Sequence, residues 1–122
     1  MPPVLTEGKT PGDWLMYEAP SHYSRESEII TGGNYESGTV LGRITADKKL
    51  TVCDPGASDG SEVAVSVLHT GVDASTTDAP GLTIARHAQV SRMGLTFGAG
   101  FTTTAQRDAA VEQLKSKGIV AI

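Results

Sequence analysis

Large aromatic side chains are scarce in this chain. Two Phe, one Trp and three Tyr among 122 residues suffice for a modest core and leave little from which to build an aromatic-lined groove. A single cysteine, Cys53, excludes an intrachain disulfide and leaves no second thiol to share a zinc site. At the end of the run Leu50-Thr51-Val52 it reads as a small buried thiol rather than a nucleophile. Positive charge is also short: ten Lys and Arg against fourteen Asp and Glu give a formal charge of −4. With no basic stripe, the chain is not expected to bind nucleic acid or an anionic membrane, both of which demand a cationic surface. No apolar run approaches the roughly 20 residues needed to cross a bilayer. The opening residues lack the basic-then-apolar layout of a secretory signal, so cytoplasmic synthesis is expected.

Chemistry-bearing constellations are missing as well. Gly8-Lys9-Thr10 ends like a phosphate-binding loop, but Pro3 stands where the first glycine is required. Gly98-Ala99-Gly100 precedes a helix, yet Thr103 occupies the third glycine position of a dinucleotide loop. Asp54, Ser58 and Asp59 mimic the start of a calcium loop, with Gly56 at a ligand position and Val65 in place of the closing glutamate. His22, His69 and His87 are scattered without metal-ligand spacing. Asp54, Asp59, Glu62, Asp73 and Asp78 fall in turns or at strand ends, as solvated loop residues do. No Gly-x-Ser-x-Gly elbow occurs. Neither enzymatic activity nor a cofactor or metal is expected.

What is present is turn chemistry. Fourteen Gly and six Pro cut the chain into short pieces, and residues 36–68 read as three strands joined by two turns. Thr39, Leu41 and Ile44 lead into Ala46-Asp47-Lys48, and Leu50 and Val52 resume the alternation. Asp54-Pro55-Gly56 and Ser58-Asp59-Gly60 follow, and a third strand begins at Val63. A strand over Glu28–Thr31 precedes them. Leu82, Ile84 and Ala88 alternate with Thr83 and Arg86, and Val90 extends that pattern. Residues 93–97 read as a further strand or as a loop packing Leu95 and Phe97. The one convincing helix spans about Thr104 to Lys117, with Thr103 and Gln106 as a capping box and Gly118 at its exit. Ile119, Val120 and Ile122 should be buried, in the domain or at an interface. The fold class is α+β, mostly β, with a single short C-terminal helix.

Residues 1–23 carry four prolines and two glycines without period and read as an arm, leaving 24–122 as the β-rich domain. Trp14, Leu15, Met16 and Tyr17 concentrate large apolar side chains there. An extended segment with Trp14 and Met16 on one side and Leu15 and Tyr17 on the other suits addition to a neighbouring sheet. The competing reading folds Trp14 back onto its own domain.

Ser24-Arg25-Glu26 before Ile29-Ile30, Gly38-Thr39-Val40-Leu41-Gly42, Pro55-Gly56-Ala57, Asp59-Gly60, Gly71-Val72-Asp73-Ala74 and a helix ending in Gly118-Ile119-Val120 form an ordered set. In that order and spacing the chain resembles the head decoration proteins of lambda-like tailed bacteriophages. The resemblance implies a β-tulip domain, a homotrimer, and attachment to the major capsid protein lattice on the outside of the expanded head, with both termini toward the shell. It places the protein on the virion after synthesis in the host cytoplasm. By the same resemblance the N-terminal segment contacts the capsid, with Thr6, Glu7, Trp14, Leu15, Met16 and Tyr17 as the contact residues. A small core makes further burial in a trimer physically reasonable; no residue pattern marks the trimer interface. The alternative is a virion-displayed module that binds a host surface or glycan.

Overall fold

The computed structural model describes residues 10–20 and 23–122. In chain order the strands are β1 (Leu15–Glu18), β2 (Arg25–Ile30), β3 (Asn34–Tyr35), β4 (Val40–Arg43), β5 (Leu50–Val52), β6 (Ala64–Leu68), β7 (Val72–Asp73), β8 (Ala79–Ile84) and β9 (Ala88–Val90). Helix α1 (Thr104–Lys115) and β10 (Ile119–Ala121) complete them. The protein is mostly β with one short helix near the C-terminus, as the turn-rich sequence implied.

Five strands close a barrel in the order β2-β5-β4-β6-β8. All neighbours are antiparallel except β2 and β5, which meet in parallel at Ile30 and Leu50. The Thr31 amide donates to the Leu50 carbonyl at 2.8 Å beside that junction. Val40 and Leu41 are consecutive and fully buried, and so are Val67 and Leu68. Because successive side chains leave a strand on opposite faces, β4 and β6 must be covered on both sides. Leu41 and Leu68 join Ile30, Leu50 and Ala74 in a cluster fed by four barrel strands, with Tyr35 and Val72 of the β3–β7 pair packed against it. Val40 and Val67 face outward into a second cluster with Trp14, Ile84, Val90, Leu114 and Ile119.

That outer layer consists of α1, which packs on β6 and β10, and a small sheet in the order β1-β9-β10. The helix starts as its sequence requires: the Gln106 amide donates to Thr103 Oγ1, and the Thr103 amide to Gln106 Oε1. It ends at Gly118, whose φ of +79° is the left-handed turn that favours glycine at this position. On its buried face Ala110 and Leu114 are covered, and Gln113 Oε1 accepts the Ala64 amide at 2.8 Å, tying helix to barrel.

Two sequence expectations shift, and of the two readings of residues 93–97 the loop that packs Leu95 and Phe97 holds. The pattern from Leu82 to Val90 is two strands, because β8 belongs to the barrel and β9 to the small sheet. The crossing runs through residues 85–87, with His87 at φ +49° and its carbonyl accepting from Ser24 Oγ. The third strand begins at Ala64, leaving Val63 exposed. Residues 92–94 form a 3-10 turn, after which Leu95 is buried and Thr96 makes one parallel bridge to Thr39.

Candidate functional site

Trp14 follows a 3-10 turn over Pro11–Asp13, whose start is held by the Thr10 amide donating to Asp13 Oδ2 at 2.8 Å. Its side chain is 1% exposed. The indole N–H donates to Ser37 Oγ at 2.8 Å, and that hydroxyl donates to the His69 carbonyl at 2.7 Å. The His69 ring meets the indole edge-on, with centroids 6.5 Å apart. Within the described part of the segment expected as an arm, residues 10–20 lie against the domain and Trp14 is a core residue. The physical reason is that an indole with a satisfied N–H contributes more as core than in water.

Strand β1 then pairs antiparallel with β9, Leu15 opposite Val90, Tyr17 opposite Gln89 and Glu18 opposite Ala88. A bulge between Leu15 and Tyr17 takes up Met16, and an extra residue breaks the alternation of faces. Trp14 and Leu15 consequently pack on the core, while Met16 and Tyr17 both face solvent at 56% and 57% exposure. The expected split of Trp14 with Met16 against Leu15 with Tyr17 does not occur. Below the bulge the strand is fastened by a two-pronged ion pair, Arg25 Nε and Nη2 to the Glu18 carboxylate at 2.9 and 2.6 Å. Thr6 and Glu7 lie outside the described residues.

The exposed large apolar side chains concentrate on this small sheet and the turn beside it: Met16, Tyr17, Met93, Val120 and Ile122. Tyr17, Gln89 and Val120 stand in one row across β1, β9 and β10, bordering a shallow cavity of about 420 Å³ with Ala19 and His87. Ile119 is buried as expected, whereas Val120 and Ile122 are open in the protomer. Contiguous exposed apolar surface marks an interaction face. Val120 and Ile122 were legible as apolar; that β10 would turn one side outward required knowing that it forms a sheet edge.

Elsewhere Asp59 and Asp78 lie in loops and Asp73 ends β7. Asp59 is held below the ordinary carboxylate range by hydrogen bonds from the Ser61 hydroxyl and amide, and Asp73 likewise by Ser75. Asp78 is lowered by hydrogen bonds from Lys49 and Thr31. Among the described residues no group of three or more His, Cys, Asp or Glu could hold a metal ion, and no helix is long and apolar enough to cross a membrane. The Cys53 thiol is buried, and desolvation, then the charges of Asp54 and Glu62, pushes its pKa up to about 12. We expect iodoacetamide at pH 8 to leave Cys53 unmodified in the folded protein and to alkylate it in denaturant. Labelling of folded protein at a free-thiol rate would show the sulfur to be accessible.

A family model described as bacteriophage lambda head decoration protein D matches residues 4–119. No curated protein matches the chain.

Proposed function

The chain belongs to the bacteriophage lambda head decoration protein family, a family whose members decorate phage heads, and from that premise we propose that it binds the outside of the expanded capsid as a homotrimer and stabilises the shell against the pressure of packed DNA. The match over nearly the whole chain carries this reading. The outward Tyr17 and Val120 of the small sheet support it, because they supply apolar surface that a protomer alone leaves uncovered. Residues 1–9, with Thr6 and Glu7, together with the outward side chains Met16 and Tyr17, form the shell contact. Trp14 and Leu15 act by holding that strand in place rather than by touching the shell.

Three such contacts on one trimer would bind jointly, and linking sites raises avidity by about 10²–10⁴-fold without new contacts. A protein that binds only the mature lattice shifts the equilibrium toward the intact shell by mass action. The test mixes expanded heads with the full chain or with a Met16→Asp, Tyr17→Asp double variant, imaging heads by electron microscopy and measuring the mass of the free protein. Density on the shell from the parent chain, at least tenfold weaker binding by the variant, and a trimeric mass for both are expected. Undiminished attachment of the variant removes β1 from the contact, and a monomeric mass removes the joint-binding mechanism.

A further inference from the structure

The two phenylalanines of the chain meet at one place, with ring centroids 5.1 Å apart: Phe101 is buried and Phe97 half-buried. Phe97, Leu95 and Met93 line a surface groove of about 400 Å³ whose remaining walls are Arg92 and Arg107. Met93 is 96% exposed, although the turn that carries it is firmly held. The Arg92 amide donates to the Ile122 carbonyl at 2.9 Å, the Gly94 amide to Ser91 at 3.0 Å and the Leu95 amide to Arg92 at 3.3 Å. Gly94 itself lies against the Asp13 carbonyl and Trp14, with no room for a side chain. A large apolar side chain is thus displayed in water on a fixed support.

Two arginines border the groove. Arg92 pairs with Asp108, but among the described residues no carboxylate pairs with Arg107. Arg107 stands in the first turn of α1, which holds no acidic residue and where the helix dipole disfavours a cation. It therefore contributes little to the helix and leaves a cation at the groove. We propose that this groove is a docking site for a peptide segment of a partner protein that carries two apolar side chains flanked by acidic ones. The apolar pair covers Met93, Leu95 and Phe97, and a flanking carboxylate pairs with the Arg107 guanidinium in the two-pronged manner that arginine favours. With Arg92 already paired to Asp108, one cation is left at the groove, which suits a carboxylate-bearing peptide better than an anionic bilayer, whose recognition takes a cluster of cations.

The proposal is tested in solution on the full chain, by the methyl signal of isotopically labelled Met93. The probes are a synthetic peptide with a Leu-Leu centre and two Glu on each side, its counterpart with Lys on each side, and phosphatidylglycerol vesicles. Met93 should shift with the acidic peptide alone. Arg107→Glu should weaken that binding at least tenfold and transfer the preference to the Lys-flanked peptide, and because Glu suits a first helical turn the variant should stay folded. No shift with the acidic peptide, equal shifts with both peptides, or a response to vesicles alone would overturn the proposal.

Discussion

Trp14→Ala is expected to lower the stability of the folded chain by about 3–5 kcal/mol, the usual cost of truncating a fully buried tryptophan. Domains of this size are held by only about 5–15 kcal/mol in total. The indole lies in the larger core cluster, and its removal opens a void against Gly38, which packs onto it. It also leaves Ser37 Oγ without its donor in a buried setting. Urea unfolding should show the midpoint falling sharply with little change in slope. Tyr17→Ala, three residues further on but exposed, should change stability by less than about 0.5 kcal/mol. A Trp14→Ala loss below about 1 kcal/mol would mean that the indole is not a core residue. A chain lacking residues 1–20 would lose Trp14 and β1 as well as the segment before them, so its failure to bind heads would report unfolding as much as a missing contact.

Local signals in the sequence were reliable where one interaction decides the backbone. Thr103 and Gln106 started the helix and Gly118 ended it; Asp59 and Asp73 formed the turns their side chains favour. Long-range pairings were not legible. The parallel meeting of Ile30 and Leu50 that closes the barrel leaves no trace in local periodicity, and neither does the division of residues 82–90 between two sheets. Trp14 is the instructive case. Proline-rich surroundings suggested an arm, yet Thr10 and Asp13 stand three apart, the spacing of a capped turn, and they do form one. Nothing local points to Ser37 and His69, 23 and 55 residues later, as the groups that receive the indole. For the same reason simple alternation puts Met16 on the wrong side, with Trp14: one residue of bulge, set by the register with β9, turns it to water.

Gly42→Ala should be the most damaging of the small substitutions, costing about 3 kcal/mol or more and shifting the chain toward the unfolded state. Gly42 lies in β4 where the pairing with β6 is irregular, Leu41 facing Ser66 and Gly42 facing Ala64. The residues between Asp54 and Val63 fold back over that point, and the Asp54 amide donates to the Ser61 carbonyl at 3.2 Å. A methyl group on Gly42 would stand 2.3 Å from that same carbonyl oxygen and 2.8 Å from the Ser61 carbonyl carbon and Cα. All three neighbours are backbone, so no rotamer change relieves the contact. The segment is pinned on its far side as well, by the Thr45 amide donating to the Asp59 carbonyl at 2.8 Å, so either the loop or the β4–β6 ladder must give way. Both belong to the closed barrel or its cover, and the loss should therefore appear as a cooperative fall in thermal and urea midpoints rather than as local loosening. Gly56→Ala is the control: its new methyl would meet only the Asp54 carboxylate at 3.4 Å, an ordinary contact, and its midpoint should stay close to that of the parent chain. A Gly42→Ala protein as stable as the Gly56→Ala one would show that Ser61 does not cross β4 at this distance.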